Sequence, residues 1–375
     1  MSVNQLFEMN MSNVRKDSTL AVNPQLNAKS AIVEVFTAIA SGAEINSKIA
    51  KKVDQSVARI KQLGELSANG DLNAKAELNT IVRYVIEPNL TKVVQLFNFM
   101  GTFRDIGYDV QPMMKTYKHT GIRSSFQASQ GDVPFGVTTW REYPIATQTI
   151  SSGYAFNYRE IASGNLDKVQ EGIQQVQVDM LNKAMYYVIL QMYNAIKNAT
   201  GVKYFAEAAG ITKTSVDSVL KKVRRFGQPA ILGDYSVASQ LNGFAGFKQD
   251  TTDTKATNIS QIVMEEIRKT GLISYYNGSF ITELPNQYNL NTLNTAGDNF
   301  DVYLPEGLLF FVPQGAVSPL QVFRRGGMTS MTGNDIITGT EMSRYDMEIG
   351  AGVAEGREHE IGLISDTNFD APSTF

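Results

Sequence analysis

Apolar residues recur at Leu166, Val169, Ile173, Val176, Met180, Ala184, Tyr187 and Val188, the three-then-four spacing of one helix face. The pattern predicts one helix from Asn165 to Thr200, with Asn165 as its cap and Gly201 as its stop. No proline lies between Pro144 and Pro229 to interrupt it. At ~1.5 Å per residue the helix is a rod of roughly 50 Å. So long a rod is expected to need a sheet beneath it and neighbouring subunits beside it.

The first hundred residues also read as helices. Ile32, Val33, Phe36 and Ile39 form a short apolar face, and Ile45, Ile49, Val53, Val57, Ile60 and Leu63 a longer one. Asn69-Gly70-Asp71 breaks the pattern, with Asp71 placed to cap a third helix through Leu78, Ile81, Val82 and Val85. Pro88 and Asn89 then lead into Val93, Val94, Leu96 and Phe97. The period changes to two from Thr149 to Tyr158, which puts Tyr154, Phe156 and Tyr158 on one side. Asp109 to Arg123 is the expected partner strand, and the Ser-, Gln- and Gly-rich stretch between them is the expected flexible tip. Residues 108–160 therefore predict a long two-stranded arm, which is marginal in water unless it lies on something else.

Beyond the long helix the texture is that of an α/β domain. Val216, Val219, Leu220 and Val223 mark a helix, Pro229 to Leu232 a short strand, and Ile259 to Lys269 another helix. Asn277-Gly278 between Leu272–Tyr276 and Ser279–Leu284 predicts a hairpin. Leu308 to Val312 reads as a buried strand, and Glu341 to Asp366 as strands returning to support the long helix.

Composition narrows the chemistry. The 375 residues are 43% hydrophobic, enough for a real core, but only 19% charged, below the ~25% usual for soluble proteins. Much of the surface is thus neutral polar or covered by contacts. The net charge of -3 gives no overall drive toward nucleic acid or anionic membrane. Without cysteine there is no disulfide, thiolate catalysis or Cys-ligated metal, and His119 and His359 are the only imidazoles. No signal pattern is read in Met1 to Leu20, and no apolar run approaches ~18 residues.

This order of arm, two-stranded loop, long helix, α/β domain and returning strands resembles the major capsid protein of tailed bacteriophages, the HK97-type shell fold. Asp217-Ser218-Val219-Leu220 through Pro229-Ala230-Ile231-Leu232-Gly233-Asp234 is similar to that family's axial-domain helix, strand and following helix. Leu304-Pro305-Glu306-Gly307 before an apolar strand resembles its late axial-domain turn, and Ile86 to Pro112 its arm. The resemblance covers roughly Ile81 to Asp366. It implies an α+β fold with a helical N-terminal extension at 1–80 and an N-arm at 81–107. The extended loop would be 108–160, the peripheral domain with its spine helix 161–210 and 336–375, and the axial domain 211–335. It further implies self-assembly into hexamers and pentamers of an icosahedral shell around double-stranded DNA, held non-specifically. Portal, scaffold and cement proteins are the expected partners, with no membrane and no cofactor. The expected location is the virion, after synthesis in the host cytoplasm.

The expected inter-subunit contacts are Lys115, Lys118 and Arg123 on the loop, the aromatic row Tyr154, Phe156 and Tyr158, and Arg324-Arg325, a flexible basic loop facing acidic groups of neighbours. Some members of the family cross-link a loop lysine to an asparagine; no local pattern here identifies such a pair, and none is predicted. For residues 1–80 a retained brace against the shell is expected. Three catalytic or ligand patterns fail on inspection. Gly350–Gly356 lacks the following helix of a dinucleotide site and reads as a turn between strands. Glu358-His359-Glu360 would split across a strand and reads as a charged edge. Ser236 lacks the Gly-x-Ser-x-Gly setting of a nucleophile, so it or Asp234 reads as a helix cap. No catalytic or metal residue is therefore expected. An encapsulin nanocompartment shell is the second reading, against which residues 1–80 count; an oligomeric α/β enzyme is the third.

Overall fold

The computed structural model describes residues 32–35, 53–122, 124, 126, 135–156, 167–244, 257–294, 297–314, 318–335 and 340–372. The chain forms two units. One comprises Met1–Gln95, Thr149–Leu181 and Gly326–Glu348; the other comprises Leu96–Gln148, Asn182–Arg325 and Ile349–Phe375.

In the first unit, helix α1 (Val53–Ala68) is followed by helix α2 (Leu72–Met100). Gly70 takes a positive φ, and the Asp71 carboxylate accepts the N–H groups of Asn73 and Ala74 at 2.9 and 3.3 Å, as a cap should. Ile60 and Leu63 of α1 and Leu78, Ile81 and Val82 of α2 are buried. Among them lies an ion pair, Arg59 to Glu77 at 3.0 Å, with both side chains almost fully covered. Burial pushes the Glu77 carboxyl above its usual range and Arg59 pulls it back. Helix α2 runs through Pro88, and the stretch from Thr91 to Met100 has no further glycine or proline to stop it. The predicted apolar residues Ile45, Ile49, Phe36 and Ile39 lie outside the described residues.

The period-two segment is strand β4 (Thr147–Phe156) and the long helix is α3 (Asp167–Lys197). The predicted cap Asn165 lies outside the described residues. In the first unit Tyr154 rests on Gly172 of α3; a Cβ at Gly172 would come within 2.2 Å of the tyrosine ring. The helix stripe does not wait for other subunits, as the sequence had suggested. Ile173, Val176, Met180, Ala184, Tyr187 and Val188 are all buried by the single chain. The physical reason is visible in the second unit, where Tyr187, Val188, Ile189 and Leu190 are buried consecutively and the helix is covered on more than one side.

A four-stranded sheet has the order β1 (Thr102–Ile106), β12 (Leu320–Asp335), β13 (Thr340–Val353), β4. The second unit contains the larger sheet, of six strands: β5 (Tyr204–Ala208), β14 (Gly362–Asp366), β11 (Leu308–Gln314), β6 (Gln228–Gly233), β8 (Ser279–Glu283) and β7 (Tyr275–Tyr276), in that spatial order. The expected domain limits are corrected here: β5 and β14 were grouped with the long helix but are strands of the α/β sheet. Strand β14 is buried along its whole length between parallel β5 and antiparallel β11. It is an inner strand, so it reads as a short apolar run with no alternation.

Helix α4 (Lys213–Val223) lays Val216, Val219, Leu220 and Val223 against this sheet. Helix α5 (Tyr235–Ala238) is capped by Asp234, whose carboxylate accepts the Ser236 N–H at 2.8 Å. Helix α6 (Thr257–Thr270) ends at Gly271. Asn277 and Gly278, at φ 47° and 77°, turn β7 into β8 as the sequence predicts. Strands β9 (Tyr288–Leu293) and β10 (Phe300–Val302) pair antiparallel by themselves. The buried Asp366 carboxylate closes the sheet by accepting the N–H groups of Gly210 and Asn368 at 2.8 and 3.0 Å. Burial pushes this carboxyl up, but the bonds from Asn368, Gly210 and Gln240 outweigh it, and Asp366 sits below its usual range.

Two stability predictions follow from these groups. Asp366→Ala should lower the unfolding free energy by about 1–3 kcal/mol in denaturant titration, since two N–H groups lose their acceptor. Because the folded pKa is depressed, the advantage of wild type over Asp366→Asn is full above the unfolded value near ~3.9 and disappears as pH falls through the folded one. Arg59→Met should cost about 3–5 kcal/mol by stranding Glu77, whereas Arg59→Met with Glu77→Leu should recover most of that loss.

Candidate functional site

Strands β2 (Met113–Thr120) and β3 (Val137–Pro144) form a two-stranded antiparallel sheet of their own. This revises the arm predicted from the sequence. The partner of β2 is β3, with Met113 opposite Pro144 and Thr120 opposite Val137, whereas β4 belongs to the four-stranded sheet. Val137-Thr138-Thr139-Trp140 is rich in β-branched and aromatic residues, a strand signal that was present but passed over. Pro144 at its end and the Ile145-Ala146 bend then separate β3 from β4.

The pair is anchored only at its root. Met114, Ile145, Phe323 and Ala354 form a small buried cluster, with Ile106 and Tyr143 packed on it. The Tyr143 hydroxyl donates to Met114 Sδ at 3.0 Å and accepts the Glu355 N–H at 2.9 Å. Burial, with the Glu355 and Glu358 carboxylates nearby, raises its pKa, so it remains protonated at neutral pH. Arg141 reaches from β3 to Glu355 at 2.9 Å.

Beyond the root, none of the described side chains is buried. On one face lie Lys115, Tyr117 and His119 opposite Glu142, Trp140 and Thr138. Tyr117 and Trp140 are 62% and 64% exposed although they face each other. Lys115 lies 3.6 Å from Glu142 and 5.9 Å from the Trp140 ring centre. His119 Nδ1 and the Thr138 hydroxyl are 2.9 Å apart. Ile122, Phe126, Phe135 and Val137 extend the exposed apolar set toward the tip. The ribbon therefore offers hydrogen-bonded rigidity and large uncovered rings. Such a patch is built to be covered.

The other predicted contact residues divide. Lys115 and Lys118 are on this exposed pair. Arg123 and Tyr158 lie outside the described residues, and so does the side chain of Phe156. Tyr154 is half-buried against Gly172, so it packs within its own unit. Arg324 and Arg325 are in strand β12, not in a flexible loop, and are engaged within the chain. Arg324 pairs with Asp105 through Nε at 3.0 Å and through a second, shorter guanidinium contact; Arg325 donates to the Tyr108 carbonyl at 2.6 Å. These bonds tie β1 to β12, which run parallel with Asp105 opposite Arg324.

The patterns set aside as chemistry are structural. Gly350 and Gly352 lie inside β13, and Gly356 takes a positive-φ turn after it. Glu358-His359-Glu360 is a 3-10 turn, not the predicted strand edge: Arg357 clamps Glu360 at 2.6 Å and His359 meets Phe226 edge-on at 5.2 Å. Among the described residues no group of three or more His, Cys, Asp and Glu could hold a metal, and no helix is long and apolar enough to cross a membrane.

The profile of the family described as "SPbeta prophage-derived putative capsid protein YonB" matches residues 10–365. No curated protein matches the sequence. Among solved structures, the head of Helicobacter pylori bacteriophage KHP40 overlaps 72% of this chain and 90% of its own at TM-score 0.47 and 9% identity. The mature capsid of bacteriophage PhiM1 overlaps 73% and 87% at TM-score 0.45 and 11% identity. The virus-like particle from Pyrococcus furiosus overlaps 75% and 97% at TM-score 0.42 and 10% identity.

Replacing Tyr117 and Trp140 by alanine should leave the unfolding free energy of the dilute chain within about 0.5 kcal/mol of wild type, read by denaturant titration, since neither ring is buried. The same double variant should weaken self-association by at least about tenfold, read by sedimentation, because covering such rings is worth about 2–3 kcal/mol each.

Proposed function

The chain belongs to the YonB capsid-protein family, and from that membership we propose that it is the major subunit of a phage head. The observation carrying this reading is the family match over residues 10–365, nearly the whole sequence. The exposed β2–β3 ribbon supplies the physical means.

In this reading the head is an icosahedral shell of hexamers and pentamers enclosing double-stranded DNA, with portal, scaffold and cement proteins as accessory partners. The β2–β3 ribbon acts as the extended loop and lies on a neighbouring copy, where Tyr117 and Trp140 are covered and Lys115 and Lys118 meet its surface. Helix α3 is the spine of the peripheral domain. The axial domain is residues 211–335 completed by β5 and β14, and residues 1–80 form a retained brace. Subunits are made in the host cytoplasm and reside in the virion. No catalytic step enters: the work is surface burial, on the order of 1,600 Å² for a contact of standard size, with the ribbon adding to it. The β9–β10 ribbon, which exposes Tyr288, Leu290, Leu293 and Phe300, is a second candidate contact between copies.

Negative-stain microscopy of the purified full chain tests the reading. Closed, regular shells are expected; a protein that stays monomeric over a hundredfold concentration range, with no particles, would overturn it. Mass spectrometry of those shells should give a subunit that retains residues 1–80.

A further inference from the structure

The long β-ribbon and the buried pair of α1 and α2 leave one charged feature of the second unit unused. Between Lys213 and Gln228 the sequence carries five cations, Lys213, Lys221, Lys222, Arg224 and Arg225, against one carboxylate, Asp217. This local excess stands in a chain whose net charge is -3. Asp217, Lys221, Arg224 and Arg225 recur at four-, seven- and eight-residue spacing, so they share one side of α4 and the turn after it. With Leu220 and Asn277 they line an open cleft of about 580 Å³.

The one acid in the cleft is already engaged. Asp217 Oδ1 accepts the Tyr276 hydroxyl at 2.7 Å and the Asn277 amide at 3.0 Å. Arg224 is oriented across the cleft by its bond to the Asn277 carbonyl at 3.0 Å, and among the described residues no carboxylate lies within ion-pair distance of it. Among the described residues, neither Lys221 nor Arg225 lies within ion-pair distance of an acid, and Lys222 lies over the Tyr204 ring at 5.4 Å. The C-terminal end of α4 contributes about −0.5 of a charge. That offsets only a fraction of the four cations gathered there, all of them exposed.

We propose that Lys221, Arg224 and Arg225, backed by the Asn277 turn, form a sequence-independent contact for the phosphate backbone of double-stranded DNA. The proposal rests on the reading of this chain as a shell that encloses DNA. The lining consists of the four charged side chains of α4 and the turn after it, with Asn277 and the buried Leu220. Exposed cations on long stems, with no base-reading geometry, suit a uniform row of phosphates.

The test uses the purified full chain and a fluorescent random-sequence duplex, with anisotropy titrations from low to moderate salt. Wild type should bind with a negative slope of log affinity against log salt. Lys221→Gln with Arg225→Gln should bind about tenfold more weakly at low salt, with a slope flatter by roughly two, because two phosphate contacts are lost at about 0.9 each. Lys269→Gln, exposed on α6, should bind as wild type does, and thermal melts should show all three chains equally folded. An unchanged slope in the double variant overturns the proposal. So does a double variant that binds DNA normally but no longer forms the shells made by wild type, since the cleft would then join copies of the chain. If wild type forms no shells yet binds with the predicted slope and its loss, the DNA contact stands while the shell reading fails.

Discussion

Two paired strands with nothing packed on either side cannot bury enough surface to offset the order they impose. Strands β2 and β3 nevertheless hold eight residue pairs in register. Their fixed end is the small cluster around Met114 and Phe323, and the rest depends on main-chain bonds and cross-strand pairs worth a fraction of a kcal/mol to about one each. A monomer that displays Tyr117 and Trp140 in this way is incomplete as a folded object. In the proposed shell a neighbouring copy supplies the missing layer. In that reading the role of the chain as a building unit rests on an unmet packing requirement.

Apart from the β9–β10 ribbon, the other described elements are more complete by comparison. Helix α3 is covered by its own chain, and the six-stranded sheet is filled on both sides of β14, where Ile361, Leu363 and Ile364 are buried. The charged pairs at β1 and β12 are internal ties. A filled core beside a hydrogen-bonded ribbon whose rings stay uncovered suits a subunit of the proposed shell.

Local patterns were legible where one chemical requirement dominates. The stripe from Ile173 to Val188, the Asp71 and Asp234 caps, and the Asn277-Gly278 turn could all be read from spacing or backbone demand alone. Pairing between distant segments was not. The sequence favoured β4 as the partner of β2 because both alternate, while the true partner, β3, is nearer and equally rich in strand formers. Strand β14 looked like support for the long helix because nothing in Gly362–Asp366 says which sheet receives it. Arg324 and Arg325 were read as a free basic loop for the same reason: Asp105 is more than two hundred residues away in sequence, and only the parallel register of β1 and β12 brings them together. The two exposed rings that matter most for the site, Tyr117 and Trp140, were missed because exposure is a property of the missing second layer, which periodicity does not report.

The place of β14 has a bearing on how the protein is made. Its neighbours on either side, β5 and β11, precede it in the chain by about 160 and 50 residues, so the gap between them closes only after both, and all that lies between, have been made. Until then the nascent chain carries two open sheet edges, the kind of surface that invites wrong partners.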